Sequence, residues 1–274
     1  MSAEAPIRVA PGWLALREPA DAEARAVDLA ETLERALPAG GRRVVHDLGC
    51  GTGAMGRWLA PLLVGPQHWV LHDRDADLLT PAAADLPGPA ADGAPVTVEP
   101  RRTDITRMHA RDFSGASLIT ASALLDLLTA AELDRLVGLC AGAGCPVLLT
   151  LSVIGRVEIT PADPLDRRVA AAFDAHQRRV TERGRLLGPD AVDFAVEACR
   201  RGGAEVLVRP SPWRLGPAHS ALAAEWFTGW VAAACEQESE LAGECEPYAR
   251  RRLEQASAGK LAVTVGHADL LVLP

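Results

Sequence analysis

The stretch that decides the fold is residues 44–53, which read VVHDLGCGTG. Its first half is short, apolar and β-branched, which predicts a strand. Glycines then occupy every second position, at Gly49, Gly51 and Gly53, and a helical pattern follows over 54–64. Glycine lets the backbone adopt strained dihedral angles and approach a ligand closely. The stretch therefore predicts a strand, a tight ligand-binding loop and a helix whose first N–H groups are free to bind.

Short apolar runs and helical periods alternate along the rest of the chain. The predicted strands are 43–48, 69–72, 96–99, 117–121, 147–152, 205–209 and 261–273, and the predicted helices are 21–37, 54–64, 75–84, 130–141, 164–181 and 189–201. Strands that alternate with helices form βαβ units with a parallel sheet. The predicted fold class is α/β: a Rossmann-like, doubly wound, mostly parallel sheet with helices on both faces, an N-terminal leader helix capped by Asp21, and a helical cap.

The length and composition agree with one large domain or a domain with an added cover. The chain has 274 residues, of which 49% are apolar and 4% aromatic. We predict three parts: a leader helix in 1–40, a cofactor-binding Rossmann-like core in 41–152, and a region 153–274 that completes the sheet and adds a helical insert and cap for substrate.

The charge balance narrows the classes of partner. The chain carries 28 basic and 36 acidic side chains, a net charge of −8, which repels phosphate backbones and anionic lipid. We therefore expect a small-molecule substrate, no nucleic acid and no membrane. No apolar run approaches the roughly 18 residues of a membrane span, and no secretory signal is visible, so a cytoplasmic location is expected. The six cysteines form no CxxC pair and have no histidine at metal-site spacing, which predicts reduced structural thiols and no metal.

An acidic residue follows the glycine loop at the distance typical of nucleoside-binding sites. Asp73 lies 22 positions after Gly51 and closes the next predicted strand. A carboxylate there can accept hydrogen bonds from both hydroxyls of a ribose. The loop and Asp73 together predict an adenosine-containing ligand.

Two cofactors compete for this description. Gly49, Gly51 and Ala54 also satisfy the dinucleotide fingerprint, which leaves an NAD(P)-dependent oxidoreductase open. Asp47, however, places a negative charge beside the loop, where it would repel a pyrophosphate but could help to organise the amino-acid end of S-adenosylmethionine. The acid therefore favours S-adenosyl-L-methionine as cofactor.

Residues 47–53, which read DLGCGTG, resemble the signature loop of the class I S-adenosylmethionine-dependent methyltransferases. The resemblance covers residues 20–152 well and the remainder in outline. It implies a role for Asp73 on the ribose and for Asp104 on the adenine amino group. It also implies further cofactor contacts from Ile105, beside the adenine ring, and Ser122, just past the fourth strand.

The cofactor carboxylate needs a cation, and the loop contains none. Arg17, in the leader, is the candidate, with a surface pair to Glu18 or Asp21 as the alternative. Arg74 follows the ribose acid directly and either covers the adenine or points into water.

The acceptor of the methyl group is less clearly marked. The Asn/Asp-Pro-Pro-aromatic run of enzymes that methylate adenine or glutamine is absent from residues 121–126, which read ASALLD. His176 is the candidate catalytic base, because helical spacing puts it on one face with Phe173 and Val180; a packed core histidine is the alternative. Candidate substrate contacts are Asp126, Gln177 and Trp213.

Three aromatic residues fall within five positions in the predicted cap, at Trp226, Phe227 and Trp230. They predict a cap helix packed on the sheet, a pocket wall or the face of a homodimer. The leading functional hypothesis is a methyltransferase that moves a methyl group to an oxygen or nitrogen of a small metabolite by in-line displacement. The alternatives are an NAD(P)-dependent oxidoreductase and a non-catalytic S-adenosylmethionine-binding protein.

Overall fold

The computed structural model describes residues 9–85 and 87–274. The strands described are β1 Arg43–Leu48, β2 Gln67–Asp73, β3 Val96–Arg102, β4 Leu118–Ser122, β5 Val147–Thr160, β6 Val180–Thr181, β7 Gly184–Arg185, β8 Glu205–Pro210, β9 Trp213–Leu215 and β10 Ala262–Leu273. The helices described are α1 Pro11–Ala24, α2 Val27–Ala36, α3 Ala54–Leu59, α4 Ala76–Ala84, α5 Ala130–Ala143, α6 Asp166–Gln177, α7 Ala191–Arg201, α8 Ser220–Gln237 and α9 Ala242–Ser257.

The main sheet has the strand order β3-β2-β1-β4-β5-β10-β8, with β9 paired to β10. Strands β1 to β5 pair in parallel, and β10 runs antiparallel to its neighbours. The predicted Rossmann-like, mostly parallel sheet is confirmed. Because the order reverses between β1 and β4, the carboxyl ends of these strands open a crevice, which is where ligands bind in such sheets.

Each face of the sheet is covered by helices that bury an apolar side. One cluster joins α2, α3 and α4 to the sheet around Leu33, Leu59 and Trp69. The opposite cluster joins α5 and α7 to it around Leu136 and Ala195. Helices on both faces explain why the parallel strands are nearly continuous apolar runs.

The cap has a third apolar cluster, formed by α6, α8 and α9 with β9, the C-terminal part of β5 and the N-terminal part of β10. Phe227 and Trp230 are fully buried in it, and Trp226 is half-buried. Trp226 and Trp230 stack with ring centroids 5.3 Å apart. The aromatic group of α8 therefore packs the cap, and Trp226 also borders the cavity described below.

Several predicted boundaries differ from those of the structure. The leader is two helices, and Asp21 lies inside the first of them rather than capping a helix. The predicted strand 147–152 continues to residue 160, and the predicted helix 164–181 spans only 166–177. Val180 consequently lies in β6, where it cannot share a helix face with His176.

No helix within the described residues is long and apolar enough to cross a membrane. All six cysteines are free thiols; five are buried and Cys235 is half-buried.

An ion pair joins helices α6 and α9 within the cap. The guanidinium of Arg252, on α9, is 1% exposed and donates to both carboxylate oxygens of Asp166 at 2.6 and 2.8 Å. The hydroxyl of Tyr248 donates to the same carboxylate at 2.6 Å. Removal of one partner would leave a buried charge without compensation.

We expect Asp166→Ala to lower the free energy of unfolding by about 2 to 3 kcal/mol, because Arg252 Nη2 loses both of its acceptors while Nη1 keeps those of Pro161 and Gln255. The matched control is Asp134→Ala, which removes an ion pair with Arg201 whose side chains are 61% and 58% exposed, and which should cost under about 1 kcal/mol. Urea unfolding of both variants measures the difference. Equal stability of the two variants would show that the buried pair does not hold the cap.

Candidate functional site

The glycine loop between β1 and α3 has the backbone that only glycine adopts without strain. Gly49, Gly51 and Gly53 have φ angles of 64°, 55° and 85°. The N–H of Gly51 donates to Asp73 Oδ2 at 2.9 Å, and Asp73 Oδ1 accepts from the N–H of Asp75 at 2.9 Å. The carboxylate at the end of β2 therefore fixes the loop against the neighbouring strand.

The leader helix α1 lies over this loop. A Cβ on Gly51 would lie 3.1 Å from the Leu14 side chain. Glu18 accepts two hydrogen bonds from Arg57, both at 2.7 Å, and Arg57 Nη1 donates to the Thr52 carbonyl at 2.7 Å. These contacts enclose the crevice on the leader side.

The enclosed cavity has a volume of about 440 Å³, within the range of small-molecule sites. Among the residues proposed from the sequence, those that line it are Arg17, Asp47, Gly49, Gly51, Asp73, Arg74, Asp104, Ile105, Ser122, Asp126, Gln177 and Trp213. Two do not line it. Gly53 is the N-cap residue of α3, and His176 lies elsewhere on α6.

Arg17 takes the alternative partner that the sequence left open. Its Nε and Nη2 atoms donate to Asp21 at 2.9 and 3.1 Å, and its guanidinium lies 4.9 Å from the ring centroid of Trp213. Trp213 Nε1 donates to the same carboxylate at 2.9 Å. Arg17 therefore has protein partners within the cavity wall, and its contact with a cofactor carboxylate stays a prediction.

A second arginine on the cavity, Arg25, was not among the residues proposed from the sequence. It is 3% exposed and lines the cavity. Its Nη2 donates to Ser122 Oγ at 3.2 Å, whereas its Nε and Nη1 have no hydrogen-bond partner among the described residues. The available signal was spacing, since Trp13, Arg17, Asp21 and Arg25 recur every four residues.

The carboxylate of Asp47 also has a buried atom without a hydrogen-bond partner among the described residues. It is 1% exposed and accepts from Thr120 Oγ1 at 2.9 Å through Oδ1, while its Oδ2 is unpartnered among the described residues. Burial raises the pKa of Asp47 to about 7, and Thr120 and Arg25 oppose that rise. Burial likewise lowers the pKa of Arg25. The cavity lining therefore includes a buried guanidinium and a buried carboxylate, each with polar atoms that have no partner among the described residues, an arrangement that requires an explanation.

Asp104 and Ile105 follow β3 along the same cavity. Asp104 Oδ1 accepts from the N–H and the hydroxyl of Thr106 at 3.0 and 2.7 Å, which starts a short 3-10 helix over Ile105–Arg107. Ile105 is half-buried beside it. Asp73, Asp104 and Ile105 thus all line the cavity, and the adenosine contacts that the resemblance implies for them stay predictions.

His176 does not meet the other predicted site residues. Its Nε2 lies 3.4 Å from Glu236 on α8, and burial lowers its pKa. Its backbone carbonyl accepts from Arg179. These contacts fit the packed-histidine alternative, and they give no route from its ring to the cavity.

The second half of the chain supplies apolar cavity wall. Residues that sequence reasoning did not assign to the site include Trp13, Val153, Val157, Phe173, Val265 and His267. Burial lowers the pKa of His267 to about 3, so this ring is neutral at physiological pH. Most of these residues lie on β5 and β10 beyond the predicted strand or in a strand with no local chemical motif, so sequence alone gave no sign of their role.

A scan against protein-family models finds no match, and a search of curated proteins finds none either. Solved structures do match. They include a cyclopropane synthase from Mycobacterium tuberculosis, with 13% identity, a TM-score of 0.48, and coverage of 90% of this chain and 84% of the other. They also include two S-adenosyl-L-homocysteine complexes of S-adenosylmethionine-dependent methyltransferases. The one from Geobacter sulfurreducens has 17% identity, a TM-score of 0.47, and coverage of 98% and 100%. The one from Thiobacillus denitrificans has 15% identity with the same TM-score and coverage.

We expect Asp47→Asn to stabilise the ligand-free protein at neutral pH. The pKa of Asp47 is raised from 3.8 to about 7, so between these values the folded chain binds more protons than the unfolded chain and its stability falls as pH rises. Asparagine removes that dependence and can still accept from Thr120. The gain should be about 1 to 3 kcal/mol near pH 8 and should shrink towards pH 4.

Urea unfolding across this pH range measures the effect, with the exposed Asp134→Asn as control. A wild-type stability curve that runs parallel to that of Asp47→Asn would contradict the raised pKa.

Proposed function

We propose that this protein is an S-adenosylmethionine-dependent methyltransferase that acts on an oxygen or nitrogen of a small molecule. The observation that carries the proposal is the presence, on a cavity bordered by the glycine loop and Asp73, of two buried charges, Arg25 and Asp47, whose hydrogen bonding is incomplete among the described residues. An amino acid carries one carboxylate and one ammonium group at a single carbon. A buried cation and a buried anion on one cavity match that pair of charges.

The nucleoside end supports the same ligand. Asp73 is 8% exposed, and each of its oxygens accepts one backbone N–H, which leaves a second lone pair on each for ribose hydroxyls. Asp104 and Ile105 border the adjoining wall, where they would bind the edge and face of an adenine.

A dinucleotide fits less well. Its pyrophosphate would have to lie at the glycine loop, where the buried Asp47 presents a carboxylate. Leu14 also lies over the loop, close to the Cα of Gly51. Like charge and this apolar cover both disfavour the oxidoreductase alternative.

The bound cofactor would supply an electrophilic methyl group on a sulfonium. The contribution of the chain is to align the acceptor with that methyl group and to exclude water. Arg25 and Asp47 would fix the amino-acid end, Asp73 the ribose, and Leu14 on α1 would shield the loop from solvent.

Two measurements on the full chain test the proposal. Calorimetry should detect S-adenosylhomocysteine and neither NAD nor NADP; the reverse preference would overturn the proposal. Labelled cofactor incubated with a metabolite extract, followed by mass identification of the labelled product, should then reveal an acceptor. Cofactor binding without transfer to any compound would favour the non-catalytic alternative.

We expect Asp73→Ala to weaken S-adenosylhomocysteine binding by about 1.5 to 3 kcal/mol, the range for hydrogen bonds to a charged group. Asp77→Ala is the control, since Asp77 is an exposed carboxylate on α4 outside the cavity. Calorimetry gives the affinities, and a melting curve shows whether the loop remains folded without its Asp73 brace. Wild-type affinity in a folded Asp73→Ala variant would remove the ribose assignment.

The role of Arg25 is tested with a ligand that lacks the amino acid. Arg25→Met should bind S-adenosylhomocysteine about 10- to 100-fold more weakly, because a buried carboxylate loses its cation. Its affinity for 5′-methylthioadenosine should change by less than about twofold, since this ligand has no carboxylate. Arg17→Met, within α1 and also on the cavity, should affect the two ligands equally. If Arg25→Met weakens both ligands to the same extent, Arg25 does not bind the amino-acid end.

A further inference from the structure

The cavity wall supplied by α1, β5, α6, β9 and α8 is mainly aromatic and aliphatic. Trp13, Phe173, Trp213 and Trp226 all border it. Trp13 and Trp213 meet edge to face, with ring centroids 6.3 Å apart. Rigid aromatic walls of this kind bind flat apolar ligands through large contact areas.

Asp126 borders this cavity and has no hydrogen bond to another residue among the described groups. It lies in the short 3-10 helix Leu125–Leu127, four positions after Ser122 at the end of β4. The residue is half-buried, and its carboxylate accepts from its own backbone N–H. It therefore has acceptor capacity to offer to a ligand inside the cavity.

The charges that face Asp126 limit what that ligand can be. Arg17 of α1 and Arg179, which follows α6, are the cations that act on it. Arg17 is paired with Asp21, and Arg179 donates Nη1 to the His176 carbonyl. Two nearby guanidinium groups disfavour a positively charged group beside Asp126 and allow an uncharged hydroxyl donor.

We propose that the acceptor is an uncharged, flat aromatic compound whose hydroxyl group donates a hydrogen bond to Asp126, which serves as its base. This inference rests on the proposed function. The O–H proton passes to the carboxylate while the oxygen forms a bond to the methyl carbon. The methyl–sulfur bond breaks with its electron pair on sulfur, which leaves a methyl ether, a neutral thioether and a carboxylic acid that returns its proton to solvent.

The ionisation of Asp126 gives this proposal a distinctive pH dependence. Burial raises the pKa of Asp126 to about 6, with Arg17 and Arg179 opposing the rise. Above that pH the group is a carboxylate that prefers a hydroxyl donor. Below it the group is protonated, and its preference for a hydroxyl over a methoxy group should disappear.

The test uses three probes with one ring system: 2-naphthol, 2-methoxynaphthalene and 2-(aminomethyl)naphthalene. Each is titrated calorimetrically into the full chain saturated with S-adenosylhomocysteine, near pH 8 and near pH 5. We expect wild-type protein near pH 8 to bind 2-naphthol at least about tenfold more tightly than either other probe. The preference over the methoxy compound should be lost near pH 5.

Asp126→Asn should lose most of the preference at both pH values while it retains S-adenosylhomocysteine affinity. The matched control is Asp174→Asn, because Asp174 also borders the cavity and burial also raises its pKa, yet it lies on α6 away from β4. This control should keep the preference and its pH dependence.

The outcomes separate the two proposals. Failure to bind S-adenosylhomocysteine overturns the proposed function. Normal S-adenosylhomocysteine binding with equal affinity for 2-naphthol and 2-methoxynaphthalene, or with tighter binding of the ammonium probe, overturns the role of Asp126. Where Asp126→Asn does not fold, equal wild-type affinity for 2-naphthol and 2-methoxynaphthalene near pH 8 still contradicts the proposal, and the pH dependence is assigned to Asp126 when Asp174→Asn retains it.

Discussion

The buried carboxylate of Asp269, on β10, is the constraint on which the site depends. Its Oδ1 accepts from the N–H of Leu151 at 2.8 Å and from the hydroxyl of Ser211 at 2.5 Å, and its Oδ2 accepts from the N–H of Ala26 at 2.8 Å. Three segments far apart in sequence therefore meet at one group. Because Ala26 adjoins Arg25, the bond that joins the leader to the sheet also places the orphan guanidinium against the cavity.

The buried charges at this site lower the stability of the ligand-free protein, and the proposed ligand would compensate them. Asp47 and Arg25 have both lost water, and each retains an atom with no partner among the described residues. Such groups cost several kcal/mol when left without compensation. A zwitterionic ligand supplies both missing partners at once, so binding should stabilise the chain by mass action in addition to filling the cavity. The proposed selectivity for an amino-acid end thus has its physical origin in this desolvation.

The sequence predicted the parts of the fold in which local patterns and long-range packing agree. Alternating strands and helices gave the parallel sheet, and residues 47–53 gave the loop together with Asp73, because spacing along adjacent parallel strands fixes which groups meet at their carboxyl ends. Arg25 was missed because its four-residue spacing from Arg17 and Asp21 does not by itself show which of these side chains is buried on the cavity. His176 was favoured by a helix face that does not extend to Val180, because the chain leaves the helix at Gln177. Tertiary contacts decided both cases.

Strands as well as loops connect the glycine-loop side of the cavity to its aromatic side. This connection affects how accurately a methyl donor and an acceptor could be aligned. Ser122, at the end of β4, accepts from Arg25 and from Thr150 of β5 at 3.1 Å. Strands β5 and β10 then continue past the sheet, and their register shifts where Gly266 packs closely against Arg156. A catalytic arrangement is held most accurately when its groups stand on such rigid elements. Strand β5 supplies both Thr150, which donates to Ser122, and Val153 and Val157 of the cavity wall, so one rigid element joins the Arg25 contact to the apolar side of the cavity.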